Sequence, residues 1–115
     1  YVLGGRQTTG GKTTVFRDVY SYQPRSNSWS AGPELPTPLA AHGAAANRSG
    51  VFVFGGDDGV RLGQIEQLTN QLTALPDGPQ KAALISQRNT LQSDHPGFRR
   101  EVWQLRPHSR AWRVV

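Results

Sequence analysis

At 115 residues with no cysteine, the chain has the length of one domain and room for a core, but no disulfide can reinforce that core. The formal net charge of +5, from 13 basic against 8 acidic residues, comes with no recognition helix and no base-stacking platform. Nucleic acid is therefore set aside as a partner; the charge reads first as a solvated strand surface, and attraction of an acidic sugar or carboxylate is the remaining use. No apolar stretch approaches the length of a membrane span.

Tyr1 to Gly5, YVLGG, reads as the end of a strand whose exit needs backbone angles that a Cβ would obstruct. Arg6 to Thr14, RQTTGGKTT, reads as a Gly/Thr-rich loop. Its Gly10-Gly11-Lys12-Thr13 loosely approaches a phosphate-binding loop, which needs a helix after it so that backbone N–H groups converge on an anion. VFRDVYSY follows instead and alternates like a strand, so a nucleotide site is excluded and Val15 to Tyr22 is expected as the third strand of its sheet. Gln23 to Ser28, QPRSNS, is a turn by composition, and Trp29 opens the next strand. Gly32 to Pro38, GPELPTP, is too rich in proline for a helix or a central strand and forms a connection. His42 to Asn47, HGAAAN, begins an inner strand of small residues, with His42 expected as a hydrogen-bonded structural histidine. Arg48 to Gly50 turns the chain into Val51 to Gly56, VFVFGG, a second apolar run closed by two glycines.

Beyond it the pattern changes from period two to helix. Leu62, Ile65, Leu68, Leu72 and Leu75 recur at three and four residues among polar neighbours. Pro76 to Pro79, PDGP, stops that helix, and Pro79 suits the first turn of another running to about Leu91. Ser93 to Gly97 and Phe98 return the chain to strand at Val102. Asp57 and Asp58 leave the sheet at one foot of this hairpin; Asp94, His95, Arg99 and Arg100 come back at the other. Both feet join adjacent strands, so the two signs of charge are expected to meet there. Two uses are open: structural pairing of Asp57 and Asp58 with Arg61, Arg99 or Arg100, which is worth little if exposed, or a ligand pocket in which arginine grips a carboxylate and Asp58 or His95 moves a proton. One histidine and scattered aspartates lack the spacing of a metal site.

The chain is also internally repeated. Val19-Tyr20-Ser21-Tyr22-Gln23-Pro24 has Trp29 five places beyond its proline, and Val102-Trp103-Gln104-Leu105-Arg106-Pro107 has Trp112 at the same distance. Each follows a Gly-Gly strand, although Gly5 to Pro24 takes 19 steps and Gly56 to Pro107 takes 51, leaving about 32 extra residues in the second copy. A Gly-Gly strand, an aromatic strand ending in proline and a following tryptophan resemble the kelch repeat, one four-stranded blade of a β-propeller.

That resemblance implies an all-β fold of about two kelch-type β-propeller blades in an incomplete ring, with a helical hairpin inserted in the second. Residues 1–38 are expected to form a partial first blade and its connection, and 39–115 the second blade, with the insertion at about 60–92. A kelch unit is about 50 residues and a ring takes roughly 4 to 8 blades, so the remaining blades are expected from a longer chain or from partners. Kelch repeats often carry an arginine in the segment that here reads Pro38 to Gly43, with Leu39 near that place, and they use the positions of Tyr20, Tyr22 and Trp29 for packing between blades. The insertion between second and third strands is similar to that of the bacterial N-acetylneuraminate epimerase, or sialic-acid mutarotase, type. This second likeness implies a cofactor-independent isomerase acting on an acidic sugar in the periplasm or outside the cell. Asp58 and His95 are then the catalytic candidates, and Asp57, Arg61, Arg99 and Arg100 the substrate-binding ones. The competing expectation is a non-catalytic protein-interaction module that meets its partner through Leu62 to Leu91. A copper enzyme of the galactose-oxidase kind shares the propeller but needs a cysteine ligand, and this stretch has none.

Overall fold

Alternation along one strand sets the architecture. In the computed structural model, which describes residues 1–115, the chain runs β1 (Val2–Leu3), β2 (Arg6–Thr9), β3 (Lys12–Val15), β4 (Val19–Gln23), β5 (Ser28–Ala31), β6 (Ala40–Asn47), β7 (Gly50–Asp57), α1 (Val60–Thr73), α2 (Pro79–Ser93), β8 (Val102–Leu105) and β9 (Trp112–Val114). Two compact units result: segments 1–6, 15–58 and 98–115 make the first, and 7–14 with 59–97 the second.

The first unit contains two antiparallel sheets, β1-β4-β5 and β6-β7-β8-β9. In β7, Val51 and Val53 point into the core while Phe54 on the other face stays exposed, as a pleated strand with one face against a core requires. Val19, Leu35, Leu39 and Val53 are at most 2% exposed, and Leu3, Trp103 and Trp112 pack against them. Each such side chain contributes roughly 1.5–3 kcal/mol. Leu35 and Leu39 belong to the proline-rich connection, so that connection is itself core. Its backbone is held by Leu35 N–H to Arg17 O at 2.8 Å and Leu39 N–H to Phe16 O at 3.1 Å. Leu39 thus serves packing.

The glycine that closes β7 has a steric reason. Gly56 has φ of +84°, and a Cβ there would lie 2.8 Å from His42 Cβ and 3.0 Å from Ala40 O. Only a residue without a side chain lets β6 approach so closely. His42 departs from the expectation of a hydrogen-bonded histidine: its Nδ1 is buried and has no hydrogen-bond partner. Close packing against glycine, rather than hydrogen bonding, places this ring. A buried polar side chain that periodicity does not announce, Gln104, ties β8 to the sheet's turn. Gln104 donates from Nε2 to Ser49 O at 2.8 Å and accepts at Oε1 from Arg113 Nε at 2.8 Å and Nη2 at 2.6 Å.

Two expectations for the first forty residues are corrected. Arg6 to Thr14 is not a loop; it is most of the hairpin β2–β3, turning at Gly10 and Gly11 with φ of +59° and +74°. A two-residue Gly-Gly turn between threonine-rich arms matches the twist of a hairpin, and threonine favours the extended arms. In consequence the expected strand from Val15 to Tyr22 is divided. Val15 ends β3, and β4 starts only at Val19.

In the second unit the two helices form as the three-and-four spacing requires. Leu68 and Leu72 of α1 are buried, whereas α2 buries none of its residues. Pro79 opens α2, where a missing N–H costs nothing. Arg61 in α1 donates through Nη1 to Leu91 O of α2 at 2.9 Å, closing the helical hairpin. The strand hairpin meets α1 at Glu66, whose Oε2 accepts the Thr13 N–H at 2.6 Å.

Candidate functional site

Within the first unit, the chain leaves β7 at Asp58 and is back beside it at Arg99. The Arg99 N–H donates to Gly56 O at 2.9 Å, which fixes the returning strand against the glycine turn. From there the Arg99 side chain spreads between two carboxylates, Nη1 donating to Asp58 Oδ2 at 3.2 Å and Nη2 to Glu101 Oε1 at 3.1 Å. All three side chains are partly exposed. The third nitrogen, Nε, is buried without a partner. The Glu101 carboxyl is held below the ordinary glutamate range, chiefly by its own backbone N–H and further by the Arg99 charge, so it is an anion at neutral pH.

The meeting of opposite charges at the foot of the insertion is therefore present, with Asp58 and Arg99 as its members. Glu101 was not among the residues that the sequence singled out; its position two residues beyond Arg99 was the available signal. Asp57 lies at the end of β7 in register with Ala40, and Arg100 is exposed. Arg61 and His95 belong to the second unit. Arg61 is occupied by the Leu91 carbonyl. The His95 Nδ1 accepts the Gly97 N–H at 2.8 Å, so in the neutral ring the proton sits on Nε2. With both Nη groups engaged by carboxylates, Arg99 makes no bidentate grip on a ligand carboxylate unless Asp58 or Glu101 releases it. No group of three or more His, Cys, Asp or Glu side chains lies close enough to hold a metal ion. No helix is long and apolar enough to cross a membrane.

The second unit offers two recesses of its own. A groove of about 590 Å³ runs between α1 and α2, with Leu68, Leu84 and Leu91 along it and the amides of Gln64, Gln67, Gln71 and Gln87 around them. A smaller recess of about 350 Å³ lies where the hairpin turn meets α1, lined by Lys12, Thr13, Glu66, Gln67 and Asn70 among others. Glu66 there is held below the ordinary glutamate range by hydrogen bonds from Thr13.

Comparison with known proteins decides what these sheets are. A solved structure of YjhT, a kelch-type propeller, superposes on 98% of this chain with a TM-score of 0.73 at 23% sequence identity. The two sheets are kelch-type propeller blades. Human Kelch-like protein 33 is 37% identical over 59 residues, about half of this chain. No family model matches the sequence. The chain spans 10% of the length of Kelch-like protein 33 and 32% of the YjhT chain, and its blades form an open, incomplete ring. The helical hairpin is an insertion between the second and third strands of the four-stranded blade.

Proposed function

We propose that these kelch blades serve as an interaction module, with the helical hairpin as the element that meets a polypeptide partner. The groove between α1 and α2 carries this reading. Its leucines offer an apolar floor, and its four glutamine amides present both donors and acceptors to peptide groups at the rim, the core-and-rim arrangement of protein contact surfaces. A helix that buries none of its fifteen residues, yet keeps Leu84 and Leu91 facing its neighbour, has apolar surface to give to a partner. A photo-crosslinking residue in place of Gln87, inside the groove, is expected to capture a discrete partner in the source cell, and Leu84→Lys to abolish that capture. Equal capture from Asn89 on the other side of α2, or capture undiminished by Leu84→Lys, overturns the assignment.

A second reading, an acidic-sugar mutarotase, is favoured by the Asp58–Arg99–Glu101 cluster together with the likeness of the insertion to the N-acetylneuraminate epimerase type. Anomer exchange needs a base to take the anomeric hydroxyl proton and an acid to protonate the ring oxygen, and no cofactor. Ionised Glu101 suits the first role, Asp58 or His95 the second, and Arg100 is the exposed cation for the sugar carboxylate. Saturation-transfer NMR on N-acetylneuraminate is the assay: Asp58→Asn and His95→Gln are expected to slow exchange in the protein carrying these blades. Unchanged rates remove the cluster from the chemistry.

A further inference from the structure

The Gly10-Gly11-Lys12-Thr13 turn lacks the following helix that a phosphate loop needs, yet the fold brings it against a helix from much later in the chain. Within the second unit, Gly63, Glu66, Gln67 and Asn70 stand at intervals of three and four along α1 and so share one face. The hairpin turn meets that face: the Thr13 N–H donates to Glu66 Oε2 at 2.6 Å, and Asn70 Oδ1 stands 3.5 Å from where a Cβ on Gly11 would be. Between turn and helix lies the recess of about 350 Å³. That volume is at the lower end of the roughly 300–1,000 Å³ of small-molecule sites.

The lining carries no hydrophobic residue, and two of its side chains are charged with opposite sign, Lys12 and Glu66. They form no ion pair with each other, and Lys12 enters no other ion pair. Thr13 fixes the Glu66 carboxyl in place and holds it below the ordinary glutamate range, so the recess presents an anion at neutral pH. A plain anion such as phosphate would be repelled there by Glu66, and a plain cation by Lys12. A ligand that carries both charges meets neither repulsion. Gly63 adds a second observation. A Cβ there would meet nothing within 4 Å, so no close approach requires glycine, and glycine weakens a helix interior. Its bare backbone keeps the recess open.

We propose that this recess binds a small polar α-amino acid, its carboxylate paired with Lys12 and its ammonium with Glu66, while the amides of Gln67 and Asn70 receive its side chain. An α-amino acid bears its two charged groups on one carbon, which matches opposite charges that share a small recess without pairing. The Thr13 hydrogen bond holds Glu66 ready for the ammonium, and the long Lys12 side chain can follow the carboxylate. Amides offer both donors and acceptors, and with no hydrophobic residue in the lining serine or glutamine suits the recess better than leucine. The site is separate from Asp58, Arg99 and Glu101, and it holds whether the blades serve protein or sugar.

Amide NMR of the chain, titrated with L-glutamine and with L-serine up to about 20 mM, tests this in the range of weak ligands. Saturable shifts centred on Lys12, Thr13 and the Asn70 side-chain amide are expected. N-acetylglutamine, which lacks the ammonium, and glutaminamide, which lacks the carboxylate, are each expected to bind about tenfold more weakly, since each loses a charged hydrogen bond. Lys12→Gln is expected to weaken glutamine about tenfold and to leave glutaminamide unchanged. Gly63→Leu, which fills the recess with a better helix former, is expected to abolish the shifts while circular dichroism retains its helical signal. No saturable shift with either amino acid, undiminished affinity for the N-acetyl and carboxamide forms, or shifts that survive Gly63→Leu each overturn the proposal. Saturable binding of inorganic phosphate at these residues in place of the amino acids overturns it too, because it marks a plain anion site. The wild-type titrations need no variant to fold.

Discussion

Gly55 and Gly56 stand side by side at the end of β7, both with positive φ, +70° and +84°, but they are glycines for different reasons. A Cβ on Gly55 meets nothing within 4 Å. Gly55→Ala therefore incurs only the left-handed conformation, about 1–2 kcal/mol, less about 0.4–1 kcal/mol from the reduced freedom of the unfolded chain. A net loss near 1 kcal/mol is expected. Gly56→Ala adds a Cβ at 2.8 Å from His42 Cβ and 3.0 Å from Ala40 O, neither of which is the end of a flexible side chain. Displacing β6 to admit it adds about 1–3 kcal/mol of overpacking, for a total near 3 kcal/mol. Urea unfolding followed by tryptophan fluorescence reports on the right unit, because Trp29, Trp103 and Trp112 all lie in the first. With a urea m-value of about 1–3 kcal/mol per molar, Gly56→Ala is expected to unfold at a midpoint roughly 1 M below Gly55→Ala. Equal midpoints, or the reverse order, would falsify the argument that close approach of β6 sets the second glycine.

Two further outcomes follow from single contacts. Glu66 has its folded pKa lowered by Thr13, so its contribution to stability is complete above the ordinary value of 4.5 and is lost as pH falls through the lower folded value. The Thr13 amide resonance is expected to shift on acidification in that range, and Glu66→Gln to abolish the titration; a Thr13 shift that persists in the variant refutes the tie. Gln104→Ala leaves the Ser49 carbonyl and the Arg113 guanidinium without the partner that the buried Gln104 amide supplies and is expected to cost about 1–2 kcal/mol in urea unfolding, whereas Arg113→Ala, at an exposed position, is expected to cost less than about 1 kcal/mol.

The helical insertion, the glycine-ended strands, the connection at Gly32 to Pro38 and the two blades were legible from residue order because each is written in short-range patterns. Strand alternation relates neighbours two apart, helix faces relate neighbours three and four apart, and Pro79 acts on its own turn. The hairpin of Arg6 to Val15 is equally local: Thr-Thr-Gly-Gly-Lys-Thr-Thr has the composition of a loop, but its Gly-Gly turn between threonine arms is also the signal of a strand hairpin.

What only the tertiary structure decided are the pairings between residues far apart in sequence. Asp58 had three candidate arginines, and the Arg99 N–H bond to Gly56 O selects one by fixing where the returning strand begins. Gln104 is buried with Ser49 fifty-five residues away, and Glu66 caps the Thr13 amide fifty-three residues away. Periodicity places each of these side chains on a face, but the register between distant segments determines which group that face meets. The same distinction separates the aromatics: Trp29 and Trp112 occupy one position of the repeat, and packing partly buries the second while leaving the first exposed.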